Sequence, residues 1–272
     1  SPSQISNFVN GWFGKNSQIA INFKIDLMKN PGLSELTTTP LLLALLCIGY
    51  KRNQKFPEQK AHIYLACIDA MLLDWDSSRQ IRRESFIASF NYESKKQLIG
   101  KVACDYFVEK ELFFSKLSLI GNFESHSDIL PIPESSGGDI LNEFTKNHGL
   151  LIERAKNIFS FSHLTIQEFF TALHISRNGS SNVYSKLANE SWHDRRWKEV
   201  VIFLGGLLDL TDPLIISLRN KAKSEISLLN IEYFLNSKSE NNELSEFLEN
   251  SKRVKHKESW IIWFKWRLFE YS

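Results

Sequence analysis

Residues 150–162 decide the fold, because two short apolar runs are separated there by a polar turn. The runs are Leu150-Leu-Ile-Glu-Arg154 and Ile158-Phe-Ser-Phe-Ser162, with Ala155-Lys-Asn157 between them. This arrangement predicts a β-hairpin with a three-residue loop. Directly after the hairpin, apolar residues recur at the i, i+3, i+4, i+7 spacing of one helical face, namely Ile166, Phe169, Phe170 and Leu173. A helix is therefore predicted to follow the hairpin at once.

Helices are also predicted on the N-terminal side of the hairpin. Residues 94–114 place apolar side chains on one helical face, and a second helix is predicted from Asp139 to His148, where Gly149 ends it. Residues 121–138, rich in Ser, Gly and Pro, are expected to form a loop. Helices followed by a hairpin are the layout of a winged helix, and the sequence predicts no other strands. The predicted fold class is therefore mainly α.

The first 80 residues are predicted to be helical throughout. Residues 3–30 have the apolar spacing of two helices, and an apolar run from Pro40 to Ile48 predicts a third. Thr39 is expected to cap this third helix, with Pro40 as its first residue, because proline's missing N–H would be unsatisfied there anyway. Gly49 and the polar stretch after it are expected to end the helix, and a long helix is predicted to begin near Phe56.

A further helical region is predicted after the linker Asn178-Gly-Ser-Ser181. One helix is expected to contain both Trp192 and Trp197, and Asp212 is expected to begin the next. The chain ends on an aromatic segment, Trp260-Ile-Ile-Trp-Phe-Lys-Trp-Arg-Leu-Phe269.

Composition and charge restrict the classes of partner. Hydrophobic residues make up 43% of the 272 residues and charged residues 24%, which is typical of a globular protein rather than a disordered one. The net charge of +2 provides no global field toward nucleic acid or an anionic membrane. Three scattered cysteines favour a reducing, cytoplasmic environment, and no apolar run is long enough to predict a membrane span.

The sequence contains no complete catalytic motif. A phosphate-binding P-loop requires the pattern GxxxxGK[ST], and the nearest fragment, Gly14-Lys-Asn16, lacks its first glycine and its hydroxyl residue. The HExxH motif of metalloproteases and the GxSxG motif of serine hydrolases are missing as well. We therefore expect that this chain does not hydrolyse ATP by itself.

His163 and Pro40 are the candidate ligand-binding residues, and each has an alternative structural role. His163 lies between a predicted strand and a predicted helix, where its ring N–H could donate to a phosphate oxygen or could serve only the local backbone. Pro40 could lie against an adenine ring, with Thr39 in the adjoining turn, or could be an ordinary first residue of a helix.

Several blocks of the sequence resemble NACHT-family STAND NTPases, especially bacterial ones. The resemblance lies in four segments that occur in the family's order: Leu36-Thr-Thr-Thr-Pro40 with the apolar run after it, Phe56-Pro-Glu58 with the helix after it, Phe159-Ser-Phe-Ser-His163-Leu-Thr-Ile-Gln-Glu-Phe-Phe-Thr-Ala172, and Trp197-Lys-Glu-Val-Val-Ile-Phe-Leu-Gly-Gly-Leu-Leu208. It implies a NACHT helical domain at residues 1–80, a winged-helix domain at 81–178 and a C-terminal helical domain at 179–272.

The resemblance also implies a nucleotide-gated switch. In such proteins the proline that matches Pro40 packs near the adenine, and the histidine that matches His163 reaches the β-phosphate of ADP in a closed, inactive state. ADP or ATP, with Mg²⁺, would be held mainly by an upstream P-loop domain of the same polypeptide. The family further implies self-oligomerisation after a trigger ligand, such as a phage protein, is sensed in bacterial innate immunity.

Two other functions fit the same elements. The first is a DNA-binding winged-helix regulator, but the helix 139–148 carries one lysine against Asp139 and Glu143, which is a poor phosphate-binding surface. We therefore do not expect a nucleic-acid partner, and the lack of a long apolar run together with the low net charge predicts no membrane partner. The second is a nucleotide-independent helical module that binds a protein through the C-terminal aromatic segment.

Overall fold

The computed structural model describes residues 1–30, 33, 37, 40–57, 59–78, 90–126, 136–192, 194–209 and 211–228. Its described part is mainly helical, with one small antiparallel sheet, as the sequence predicted. The chain divides into two compact units, Ser1–His174 and Ile175–Ser272. The predicted domain boundaries at residues 80 and 178 stay predictions. Thr39 and the aromatic segment 260–269 lie outside the described residues.

Four helices form the N-terminal part of the first unit. They are α1 (Pro2–Phe13), α2 (Gln18–Lys29), α3 (Pro40–Asn53) and α4 (Lys60–Ser78). Phe23 and Tyr50 are buried at the centre of an aromatic cluster, with ring centroids 5.1 Å apart. The Tyr50 hydroxyl donates to Asp26 Oδ2 at 2.7 Å, which ties α3 to α2 while satisfying the one polar atom of this buried ring.

The polar stretch after Gly49 ends α3, as predicted, but Gly49 itself does not interrupt the helix. The helix continues to Asn53, and α3 packs against α4 along this stretch. A Cβ at position 49 would lie 3.1 Å from Cys67 Sγ on α4. The glycine is therefore explained by the close approach of two helices, and its helix-breaking tendency is overridden by their packing.

The winged-helix part of the first unit begins with α5 (Tyr92–Val108), β1 (Phe114–Ser115) and α6 (Lys116–Ser125). It continues with α7 (Gly137–Asn142), a π-helical turn (Glu143–Asn147), β2 (Leu151–Ala155) and β3 (Ile158–Phe161). The first helix after the hairpin, α8, spans Leu164–Asn178. These elements confirm the helix–hairpin–helix order that the sequence predicted for this region.

A third strand, β1, pairs with β3, so that the sheet order is β1-β3-β2. This strand corrects the prediction of a helix to residue 114 and of only two strands. The helix α5 ends at Val108, and Lys110 has a left-handed backbone (φ 65°) that turns the chain. Phe114 is then buried against Tyr106, with ring centroids 4.0 Å apart. Long-range pairing and burial decide this strand, because two residues have no periodicity to detect.

The hairpin has a two-residue loop rather than the predicted three-residue loop. Ala155 pairs with Ile158, and a bulge between Glu153 and Ala155 takes up the extra residue. Asn157 adopts a left-handed conformation (φ 59°), and its N–H donates to Glu153 Oε1 at 2.8 Å. Asparagine tolerates this conformation better than most residues, which explains its place in the turn.

Part of the predicted loop at 121–138 is helical. The helix α6 extends to Ser125, and α7 begins at Gly137. The signals for α6 are a capping bond, from Ser118 N–H to Ser115 Oγ at 3.1 Å, and the buried pair Leu119 and Phe123 at i, i+4 spacing. Residues 127–135 lie outside the described residues.

The second unit contains the last four residues of α8 and three further described helices, α9 (Ser181–Trp192), α10 (Trp197–Leu207) and α11 (Asp212–Leu228). Trp192 and Trp197 thus lie on different helices, contrary to the prediction of one helix. Asp194 accounts for the break, since its Oδ1 accepts the backbone N–H of Arg196 at 3.0 Å and closes a local turn. The helix α9 packs against α11. No helix in the described ranges combines the length and apolarity needed to cross a bilayer.

Candidate functional site

His163 lies at the N-terminus of α8, immediately after β3. Its carbonyl oxygen accepts the N–H of Ile166 at 3.0 Å, which makes it the residue that starts the helix. Its ring Nδ1 accepts the backbone N–H of Thr165 at 3.3 Å and lies 2.8 Å from the Thr165 hydroxyl. The imidazole therefore caps the helix, which is the local structural role considered for it.

The capping bond leaves the other ring nitrogen as a donor. A backbone N–H can only donate, so Nδ1 must present its lone pair, and the proton of the neutral ring is on Nε2. Burial lowers the pKa of His163 from its ordinary value, which favours this neutral form. The first N–H groups of α8 and the positive end of its dipole lie beside the ring. Capping and donation to an anion are thus compatible, because they use different nitrogens.

Pro40 is the first residue of α3, as predicted, and it is exposed. Its ring is therefore accessible to a ligand. Thr39, the predicted partner of this proline, lies outside the described residues. The assignment of His163, Pro40 and Thr39 to one nucleotide stays a prediction.

A buried charged cluster that the sequence did not predict lies in the same domain. Lys95 Nζ donates to Glu143 Oε1 at 2.7 Å, and both side chains are 2% exposed. His148 Nε2 contacts the same oxygen at 3.0 Å, and Asn147 Nδ2 donates to Glu143 Oε2. Burial alone would raise the pKa of Glu143, but the hydrogen bonds from His148, Lys95 and Asn147 outweigh it and hold that pKa well below its usual range.

The cluster coincides with the π-helical turn. Glu143 is the first residue of this turn, and its carbonyl oxygen accepts the N–H of His148, five residues later, at 3.1 Å. A π-turn is rare and is often found at functional sites. No motif signals it in the sequence, because Lys95 and Glu143 are 48 residues apart.

A cleft of about 470 Å³ lies between the α7–π-helical segment and the hairpin. Lys116 and Lys146 line it, and Glu153 contributes a carboxylate that already accepts from the hairpin turn. Neither His163 nor Pro40 lines this cleft. In a DNA-binding winged helix, this surface between the helix and the hairpin would face the DNA. Here the negative charge of Glu153 offsets part of the positive charge of Lys116 and Lys146.

The described residues contain no group of three or more His, Cys, Asp or Glu side chains that could hold a metal ion. The free cysteines are explained by burial, which raises the pKa of Cys47 and of Cys67 to about 12 and disfavours the reactive thiolate. Among the described residues, the groups of the predicted site that are available to a ligand are the Nε2–H of His163 and the exposed ring of Pro40.

Comparison with known protein families assigns the winged-helix part. Residues 134–175 match the family model of the winged helix-turn-helix domain C-terminal to NACHT. The match spans α7, the π-helical turn, the hairpin and most of α8, and it includes His163. No curated protein gives a significant match to the chain. Residues 134–175 therefore form a winged helix-turn-helix domain of the type that lies C-terminal to NACHT, which supports assigning this chain to the C-terminal portion of a NACHT-family protein.

Proposed function

We propose that this chain is the nucleotide-gated regulatory region of a NACHT STAND NTPase. In this proposal it closes over ADP or ATP that an upstream P-loop domain binds together with Mg²⁺. The closed state is autoinhibited, and sensing of a trigger ligand opens it and leads to self-oligomerisation. The biological setting would be cytoplasmic antiphage or innate immune signalling in bacteria.

The observation that carries the proposal is the state of His163 within a NACHT-associated winged helix. Its Nδ1 is occupied by the helix cap, so Nε2–H is the donor that remains. Phosphate oxygens are strong acceptors, and the N-terminus of α8 favours negative charge near the ring. His163 therefore has the chemistry of a phosphate-contacting residue without needing a positive charge of its own.

The energy of this contact is sufficient for gating. A hydrogen bond to a charged group contributes about 1.5–3 kcal/mol. Because the bond would form only while the winged helix is docked on the nucleotide, ADP would favour the closed state by this differential contact. A bias of this size changes a two-state equilibrium by roughly tenfold or more. Pro40, exposed at the start of α3, would lie against the adenine.

The first prediction concerns ADP retention by the full-length parent protein. We expect His163→Ala to increase the ADP dissociation rate by about tenfold, since one charge-assisted hydrogen bond is lost. Basal oligomerisation should rise in the same variant. The measurements are the nucleotide content of the purified protein, release of a fluorescent ADP analogue, and mass photometry.

Two variants control this experiment. His163→Gln keeps an N–H donor near the position of Nε2 and should retain more ADP than His163→Ala. His62→Ala removes an exposed histidine on α4 and should behave as wild type. Wild-type ADP release and wild-type basal oligomerisation in His163→Ala would contradict the proposed role.

A further inference from the structure

The hydrogen bonds of the winged helix connect the buried Lys95–Glu143–His148 cluster to His163. Phe144, directly after Glu143, accepts the N–H of Leu150 on its carbonyl oxygen at 2.9 Å. Leu150 in turn accepts the N–H of Ser162 at 2.9 Å. Ser162 is the residue before His163, so a short series of main-chain bonds joins the π-helical turn to the helix cap.

We propose that the Lys95–Glu143–His148 cluster is a positioning element for His163. The cluster fixes the geometry of the π-helical turn. The two main-chain hydrogen bonds, from Leu150 to Phe144 and from Ser162 to Leu150, then fix the position of Ser162 and of the His163 ring next to it. This role deepens the proposed function and rests on it for its biological meaning, because the position of His163 matters if the ring contacts a phosphate.

Glu143 is the centre of this arrangement because three of its oxygens are used. Its Oε1 accepts from Lys95 and His148, its Oε2 accepts from Asn147, and its carbonyl oxygen accepts the N–H of His148. Loss of the carboxylate would therefore release both ends of the π-helical turn. A turn that relaxes toward ordinary α geometry would shift Phe144 and Leu150 by a fraction of a residue and would move Ser162 with them.

The two residues that link the cluster to Ser162 are buried, so a displacement of the π-helical turn would also displace Ser162. Phe144 and Leu150 are fully buried, and the Phe144 ring packs against Phe123 with centroids 5.9 Å apart. Close-packed interiors resist small displacements and pass them to neighbouring groups. Gly149 lies directly before Leu150 and has a left-handed backbone, with φ 62°, which lets the chain turn from the π-helical segment into β2.

The neighbouring residue Lys96 provides a matched control. It is also buried and also lies on α5, but it pairs with Asp69 of α4 at 3.3 Å and with Glu93 at 2.9 Å. Its partners do not belong to the cluster around Glu143. Lys96→Met thus removes a buried lysine charge one residue away from Lys95 but outside the cluster, and it should have no effect at His163.

The test reads the state of His163 in the whole chain without nucleotide, by ¹⁵N and ¹H NMR of the imidazole during a pH titration. The disrupting variant is Lys95→Met with Glu143→Leu, which removes both charges of the buried Lys95–Glu143 ion pair together. We expect the His163 titration to shift to higher pH and the ¹⁵N signature of an accepting Nδ1 to weaken, since the cap loosens.

Two comparisons make the result specific. Lys95→Met with Glu143→Gln keeps one acceptor oxygen, which can serve His148 or Asn147 but not both, and it should return the titration of His163 part of the way to that of the wild type. Lys96→Met should leave it unchanged. A folded disrupting variant with the wild-type titration would overturn the proposal, and so would an equal shift in Lys96→Met.

Should the disrupting variant not fold, Asn147→Ala tests the same idea, because it removes one donor to Glu143 and keeps the charges paired. It should shift the titration in the same direction by a smaller amount, and no shift would overturn the proposal. These measurements need no nucleotide. An unchanged ADP release in His163→Ala would therefore refute the phosphate role while leaving the positioning result standing.

Discussion

His163 shows how one side chain can cap a helix and still keep a hydrogen-bond donor. The imidazole has two nitrogens, and the structure assigns Nδ1 to the helix cap through Thr165. The sequence presented capping and phosphate binding as alternatives, because it could not say which nitrogen faces the backbone. Once Nδ1 is occupied, the tautomer is determined and Nε2–H is the donor.

The lowered pKa of His163 leads to a prediction about acid stability. Burial lowers the pKa of His163 and of His174 in the folded state, so the unfolded chain binds protons first as the pH falls. The stabilisation is present above the ordinary histidine range and is lost as the pH falls through it toward the lowered values. Wild-type chain should therefore have a lower thermal unfolding midpoint at about pH 5.5 than at about pH 7.5.

The variant His163→Asn isolates this contribution. Asparagine is a good helix cap and does not titrate, so stability near neutral pH should be kept while part of the acid sensitivity disappears. His62→Asn, at an exposed position on α4, is the control for the same substitution at another histidine. Calorimetry or circular dichroism at the two pH values gives the comparison. An equal loss of stability in wild type and His163→Asn would contradict the burial argument.

The partners of the buried lysines could not be predicted from the sequence. Lys95 and Lys96 are adjacent and identical, yet one pairs within the winged helix and the other with α4. A lysine normally lies in solvent, and the partner of Lys95 is 48 residues away. Only the tertiary structure brings Lys95, Glu143 and His148 together.

At the scale of elements, local signals predicted helices and strands well where periodicity was long. The helices α1, α2 and α8 and the hairpin were predicted because apolar spacing extends over several residues in each. Errors occurred where a tertiary contact decides the outcome. They include the two-residue strand β1, the continuation of α3 through Gly49 and the break between Trp192 and Trp197.

Two glycines in the winged helix should respond to alanine with opposite signs. Gly149 has φ 62°, and an added Cβ there would meet no atom within 4 Å, so Gly149→Ala should cost about 1 kcal/mol through backbone strain alone. Gly121 lies within α6 with equally open surroundings, and Gly121→Ala should stabilise the chain by about 0.5–1 kcal/mol. Urea unfolding measures both free energies.

The two substitutions control for each other, because neither added methyl group meets a neighbour. Gly149→Asn should lose less stability than Gly149→Ala, since asparagine tolerates the left-handed conformation better. If Gly149→Ala were as stable as wild type, the left-handed turn after the π-helical segment would not be required for folding.

At the scale of the whole molecule, charge argues against the DNA-binding alternative. The net charge is +2, and the cleft beside the hairpin combines Lys116 and Lys146 with Glu153. Affinity for duplex DNA depends mainly on neutralising several phosphates. We therefore predict no specific binding of the chain to duplex DNA at about 0.15 M salt, measured by fluorescence anisotropy. Tight binding that weakens steeply with salt, and that Lys116→Ala with Lys146→Ala abolishes, would favour the DNA-binding regulator instead.

The helical segment and the winged helix are joined in one compact unit by specific contacts. Tyr64 of α4 stacks on Phe169 of α8 with ring centroids 5.6 Å apart, and Tyr92 and Lys96 of α5 both contact Asp69 of α4. The stacking of Tyr64 on Phe169 places α8, whose N-terminal cap is His163, against α4. The proposed gating would act on this unit.

The sequence by itself determined the mainly-α fold, the hairpin and the helix after it, and it pointed to His163 and Pro40. Apolar spacing, turn residues and helix-start residues are local properties, so they can be read from neighbouring positions. The tertiary structure alone decided β1, the π-helical turn, the Lys95–Glu143–His148 cluster and the nitrogen of His163 that remains a donor. Each of these depends on groups far apart in the chain or on the orientation of a side chain, and burial makes their energies large enough to override local preference.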